Sequence, residues 1–366
     1  MARVRSRGGL RNAFALPPGQ SQTARGNGPR RASRSRGLRP RDLQQTFRLL
    51  LATVWLTDAA LQLQPFMFTK GSNGFSGMLH GMASGSPSWI SHSITWNASI
   101  VYHEPVLTNA LFAATQFVIA LGIAWRRTCR PALALSIAWA LGVWWFGEGL
   151  GGLLTGAATP LGGGPGAVLF YAVLAVLLWP SRGTDEPFVA ARTVGAVAAR
   201  AVWTAVWLFL ALLAVVGSGR SSQALHGIVA KVSAGQPGWL LHIDRWSESL
   251  LARHGTAVAI VFAVFCGLVA FCVYLHPKVT QVVMGSAIAV FILIWVAVQN
   301  FGGDLAGGAT DPNSGLLVLL FIGTYWPQAA VSRPAATQSA VVPTTPALQA
   351  ATDGADAEHV FTTRQG

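Results

Sequence analysis

Eight apolar stretches constrain this chain more than any other feature. They lie at about 48–66, 107–125, 131–149, 164–180, 200–217, 256–275, 279–299 and 314–330. Each is close to the ~20 residues that a helix needs to cross the hydrocarbon layer of a bilayer. A bilayer offers no hydrogen bonds to the backbone, so such stretches span it as helices. The composition agrees: 11% of residues are charged, against about 25% in a soluble domain. The expected fold class is therefore an all-α integral membrane protein with eight transmembrane helices.

Orientation follows from where the cations fall. Residues 1–48 hold twelve Arg and no Lys. With the N-terminus inside, the inner segments carry 21 Lys or Arg and the outer segments five: Lys70, Arg220, Lys231, Arg245 and Arg253. That asymmetry predicts both termini in the cytoplasm. The Arg-, Gly- and Ser-rich N-tail lacks apolar periodicity and reads as disordered, as does the Ala-, Thr- and Pro-rich tail beyond Pro334. The basic tail reads as a solvated flank rather than a specific nucleic-acid binder. The bilayer is the partner that the sequence demands, with other membrane proteins as further candidates. The first apolar run starts near Leu49, too far along for a cleavable signal peptide. The Arg-over-Lys bias with abundant Ala and Gly points to a GC-rich bacterium, and so to its plasma membrane.

The chain also repeats itself. Aligned from Glu148 and Gln299, six of twelve positions are identical: Gly151/Gly302, Gly152/Gly303, Leu154/Leu305, Gly156/Gly307, Ala158/Ala309 and Thr159/Thr310. Leu-His-Gly occurs at 79–81 and 225–227, and Trp-Pro at 179–180 and 326–327. A Trp-x2-His-x3-Trp pattern occurs as Trp89, His92, Trp96 and as Trp239, His242, Trp246, followed by His103 and His254. The order and offset of these landmarks predict two four-helix repeats. An even number of spans per unit makes the repeats parallel. The expected layout is a basic tail (1–46), a first repeat (47–181), a cytoplasmic linker (182–199), a second repeat (200–330) and a C-terminal tail (331–366).

Candidate chemistry lies mostly on the outer side. Six of eight His fall there, and the Trp-x2-His-x3-Trp spacing sets its three side chains on one helix face. A short helix flat at the interface, with Trp89 and Trp96 at headgroup level, is expected. Met78 and Met82 bracket His80, and thioether with imidazole suits Cu(I). His80, His92, His103, Met78 and Met82 are thus the candidate metal ligands; packing and aromatic anchoring are the plainer roles for the same residues. The three Cys lie at or within spans, so no disulfide framework follows.

Two acids lie in or near the apolar layer, both in the first half. Asp58 sits within the first span, where an ionised Asp costs about 2.5–3.5 kcal/mol on insertion scales. It is expected to be protonated or bonded to Gln62 one turn on. Its second-half equivalent is Leu210. Glu148 ends the third span and corresponds to Gln299. Asp58 and Glu148 are the candidate catalytic or proton-handling residues, with Trp89, Trp96, Gly151, Gly152 and Gln299 as candidate cofactor contacts. Residues 147–166 hold nine Gly. Such a loop either dips into the outer membrane face or makes an ordinary tight turn.

Four-span units with a long first outer segment resemble the DoxX-like bacterial membrane proteins, here in tandem. The resemblance implies a link to quinone or sulfur-compound redox processes and transfers no individual residue. Two function classes fit the sequence: a redox- or metal-associated subunit with quinone or copper at the outer His/Trp/Glu face, and a proton-linked small-solute transporter with Asp58 in its path. A scaffold for partner proteins is a third.

Overall fold

The protein, described by a computed structural model over residues 40–181 and 186–328, is all-helical. The predicted tails fall outside those residues, except that helix already runs from Pro40. Helix α1 spans Pro40–Leu61, α2 Phe75–Ala83, α3 Ser88–His103, α4 Pro105–Ala124, α5 Cys129–Phe146 and α6 Ala167–Leu177. Helix α7 spans Ala191–Val194, α8 Ala196–Val215, α9 Ser222–Val232, α10 Gly238–Phe271, α11 Pro277–Ala297 and α12 Asn313–Thr324. Among the described residues there is no strand.

Five helical segments are long and apolar enough to cross a membrane: α4, α5, α8, the segment Gly238–Tyr274 that contains α10, and Pro277–Ala306 that contains α11. The remaining predicted spans also coincide with helices, but on other terms. Helix α1 begins at Pro40, six residues before the expected end of the tail; Pro is pre-set for the first helical turn. Helices α6 and α12 are apolar but hold only 11 and 12 residues. At the usual rise they measure about 17 and 18 Å, little more than half the hydrocarbon thickness.

The linker expected at 182–199 is partly built into the body. Phe188, Val189, Ala190 and Ala191 are buried, and the Ala190 N–H donates to the Thr324 carbonyl at 2.9 Å. The separate short helix expected for the Trp-x2-His-x3-Trp pattern is present in the first half as α3 but not in the second. There the second Trp-x2-His-x3-Trp pattern and the following span form one 34-residue helix, α10. The cause is local. Pro105 follows Glu104 and forces the chain out of helical geometry at that residue (φ −127°, ψ 62°). The matching residues, Gly255 and Thr256, leave α10 unbroken.

The core is one large apolar cluster, with two smaller ones around α2 and α3, one of Met67, Phe75, Leu79, Ala98 and Val101 and one of Ala83, Ile90, Ile94 and Leu150. Helix α1 packs on α4, α8 on α10, α5 on α6, and α11 on α12; α6 and α12 meet each other. Trp203 stacks on Phe321 with ring centres 5.5 Å apart, and Trp55 packs on Tyr171 at 4.2 Å. Buried aromatic surface of this size is the largest apolar contribution a side chain makes. Tyr325 keeps its hydroxyl satisfied by donating to the Ala199 carbonyl at 2.7 Å.

Candidate functional site

Each Gly-rich loop begins with an uncommon turn. Gly149, Leu150, Gly151 and Gly152 take φ of 57, 57, 60 and 76°; Asn300, Phe301, Gly302 and Gly303 take 48, 56, 80 and 88°. Four successive residues in the left-handed region explain why Gly dominates here, since a Cβ makes that region costly. Gly151 and Gly302 are required twice over. A Cβ on Gly151 would overlap the Pro165 carbonyl, and one on Gly302 the Asp311 carbonyl. The close approach is fixed by indole hydrogen bonds: Trp144 Nε1 donates to Pro165 O at 2.8 Å, and Trp295 Nε1 to Pro312 O at 2.6 Å. Each loop thereby folds back against the N-terminus of its short helix, α6 or α12.

Each loop is also tied to the other half of the chain. Gln64 donates from its amide to Ala309 O at 3.2 Å, while Ser218 N–H donates to Gly156 O at 2.9 Å. The segment after α1 thus ties to the second loop, and the segment after α8 to the first.

Beneath the first loop lies a cavity of about 840 Å³, within the usual range for small-molecule sites. Residues of α1 to α6 and Ile228 of α9 line it together with the 147–166 loop, Gly302 and residues 310–313. Asp58 enters from α1 and is 2% exposed. The Tyr171 hydroxyl on α6 donates to Asp58 Oδ2 at 2.5 Å, so the side-chain partner is Tyr171 and not the expected Gln62. The other oxygen, Oδ1, meets no protein donor. Glu148 reaches the same cavity from just beyond α5; its Oε2 is enclosed and also meets no donor. Burial, reinforced by the Asp311 carboxylate, holds the Glu148 carboxyl well above the usual carboxylate range. Burial likewise pushes Asp311 up, opposed by hydrogen bonds from Thr310 Oγ1 at 3.0 Å and Asn313 N–H at 2.8 Å. Further unpartnered polar atoms at the cavity wall are Gln62 Oε1, Gln116 Oε1, Trp139 Nε1 and Thr159 Oγ1.

The other sequence candidates divide. Gly151, Gly152, Trp96, Met78 and Met82 line the cavity with Asp58 and Glu148. Trp96 is also 61% exposed and packs on Phe146 at 6.2 Å; Trp89 is 52% exposed and packs on Trp145 at 5.3 Å. His92 is exposed on the same helix face as both Trp. His103 is exposed, with Nδ1 2.7 Å from Ser99 O. His80 lies half a turn round α2 from the two Met and lines a separate hollow with Tyr102. Among the described residues no group of three or more His, Cys, Asp or Glu is placed to hold a metal ion.

Gln299 does not line the cavity. Its amide Nε2 donates to Pro160 O, Leu161 O and Ser314 Oγ at 3.3–3.4 Å, and its Oε1 accepts from Gly315 N–H at 3.0 Å. It is 1% exposed and fully committed to joining the first loop to the start of α12. Sequence reasoning missed Tyr171, Gln116, Trp139 and Asp311. A Tyr in the otherwise apolar run of α6, and Asn109 and Gln116 two turns apart in the apolar α4, were the available signals.

Comparison with family models, curated proteins and solved structures found no match to this chain.

Proposed function

We propose that this chain is a plasma-membrane protein of eight spans, built as two parallel four-helix units with both termini cytoplasmic, whose first unit binds a small solute in exchange with protons. The single observation that carries the reading is the meeting of Asp58 and Glu148, 90 residues apart in sequence, in one cavity where each keeps an oxygen free of protein donors. Carboxyl groups with a donor-free oxygen in an apolar layer are retained at a cost, and they characteristically mark solute and proton paths.

Two features support the transport class over the redox class. Helices α6 and α12 are short, each follows a Gly-rich loop, and they hold corresponding positions of the two halves, in keeping with the short hydrophobic segments that mark binding sites in repeat-built transporters. The His and Met proposed as copper ligands are spread over different faces of α2 and α3. For the tandem layout, support comes from the matched left-handed turns, the matched Trp-to-Pro hydrogen bonds and the shared order α1, α2, α3–α4, α5, α6 and α8, α9, α10, α11, α12. With Trp179 aligned on Trp326, Val318 stands where Tyr171 stands, and Leu210 stands where Asp58 does, so the second unit lacks that pair and reaches the cavity only through Ile228, Gly302 and residues 310–313. The resemblance to DoxX-like proteins contributes only its four-helix unit.

The test uses the full chain in proteoliposomes loaded with a pH-reporting dye. A panel of amines, sugars, carboxylates and quinones is added outside. At least one class should shift internal pH in the wild type beyond the Asp58→Asn/Glu148→Gln variant. Identical traces for every class would remove the reading.

A further inference from the structure

We infer that the solute is a protonated amine, an ammonium group bearing N–H donors on an apolar body. The inference rests on the solute-site reading above and goes on to its chemistry.

Charge makes the first selection. Three carboxyl groups, Asp58, Glu148 and Asp311, line the cavity, and no Lys, Arg or His is among the described residues that do so. An anionic solute would find no Lys, Arg or His to pair with and would oppose ionisation of all three acids, whereas a cation favours it. Hydrogen bonding makes the second. The unsatisfied atoms at the wall include Asp58 Oδ1, Glu148 Oε2, Gln62 Oε1 and Gln116 Oε1, all acceptors, against one obligate donor, Trp139 Nε1. Buried acceptors need donors, and a carboxylate needs them most. An ammonium supplies three in a compact head; a quaternary ammonium supplies none. A bare metal ion is a poorer fit, because the acids are not gathered into a coordinating group.

The remaining wall sets the body of the solute. Trp55, Phe112 and Trp139 line the cavity beside Leu135 and Val143. Aromatic faces favour a cation and bury an apolar chain at once. A proton held by the enclosed Glu148 carboxyl would leave to water as the ammonium arrives. The exchange is balanced: one positive charge enters and one proton leaves. The groups facing Glu148 in the cavity are Asp58, Asp311 and neutral side chains, so no resident cation competes.

The experiment is calorimetric titration of the full-length protein in mild detergent with phenethylammonium, hexylammonium, N,N,N-trimethylphenethylammonium, 2-phenylethanol and phenylacetate. Both primary amines should bind saturably, one per chain. The trimethylated, neutral and anionic analogues should bind weaker by about tenfold or more, the scale of losing hydrogen bonds to a charged group. Asp58→Asn and Glu148→Gln should each weaken amine binding by a similar factor, and His92→Ala should leave it unchanged. Equal binding of the trimethylated analogue overturns the N–H requirement, and so the inference. Absence of amine binding overturns it too. In that case a proton response of the liposomes to sugars, carboxylates or quinones leaves the solute-site reading standing, whereas silence across the whole panel removes both.

Discussion

Glu148 and Gln299 end their helices in the same way and spend their side chains differently. Each backbone N–H donates to the carbonyl five residues earlier, Val143 and Ile294, at 3.0 Å; each carbonyl accepts from a Gly three residues later, Gly151 at 3.0 Å and Gly302 at 2.8 Å. Beyond the backbone the likeness stops. The Glu148 carboxyl holds a free oxygen in the cavity, while the Gln299 amide is consumed by Pro160, Leu161, Ser314 and Gly315. One copy of the turn is left for chemistry and the other is used for assembly.

Gln299→Ala should therefore destabilise the fold. It strips the Gly315 N–H and two loop carbonyls of partners in a buried place, a loss of about 1–3 kcal/mol. Thermal unfolding in detergent should show a lowered midpoint. Solute binding at temperatures where the variant is folded should be close to wild type.

Glu148→Gln should act in the opposite sense, and only above a threshold of pH. The Glu148 carboxyl is held above its ordinary value near 4.5 by burial, so the folded state binds its proton more tightly than the unfolded state. Its stabilising contribution is complete below that ordinary value and is lost as pH rises towards the folded value. Wild-type stability should fall with rising pH across that window, and Glu148→Gln should flatten the slope. An unchanged slope in the variant would place the titration elsewhere.

The Asp58–Tyr171 pair gives a coupled prediction. Tyr171→Phe leaves both Asp58 oxygens without a protein donor and should cost about 1–3 kcal/mol. The double variant Asp58→Leu/Tyr171→Val copies the apolar pair found at Leu210 and Val318. It should be more stable than the sum of its single changes by about 1 kcal/mol, as expected for neighbours in contact. It should also bind no solute. A double-mutant cycle on the unfolding midpoints measures the coupling.

Two loop glycines that look alike in sequence should differ in consequence. Gly151→Ala meets both a positive φ and the Pro165 carbonyl, and should cost more than about 3 kcal/mol or fail to fold. Gly152→Ala meets a positive φ but only ordinary contacts from 3.4 Å, and should cost about 1–2 kcal/mol. Expression level and unfolding midpoint separate the two.

Much of this was legible in the sequence because apolar run length and a repeated loop are local signals. Each predicted span lies over a helix, and the Gly pairs do mark matched turns. Helix ends were less legible. Pro40 starts a helix inside what composition assigns to a tail, and a single residue, Pro105 against Thr256, decides between two helices and one. The site was half legible. Asp58 and Glu148 stood out as acids in apolar surroundings, but Tyr171 is 113 residues from Asp58 and only packing brings them together. Gln299 looked like the partner of Glu148, yet which polar groups an amide meets is settled by loops folding back, and sequence spacing does not encode that.

With both termini inside, as proposed, the acid-lined cavity would be reached from the outer side, and a cysteine in its wall tests that together with its charge. The three native Cys are each buried to 2% exposure or less, so background labelling is low. Met78→Cys places a thiol in the cavity wall. In intact cells it is treated from outside with aminoethyl or sulfonatoethyl methanethiosulfonate, reagents of opposite charge that do not depend on knowing the solute. The site as proposed requires modification from outside, with the ammonium reagent faster by about tenfold, and loss of that preference in the Asp58→Asn/Glu148→Gln background. No labelling from outside, or equal rates for the two reagents, would contradict it.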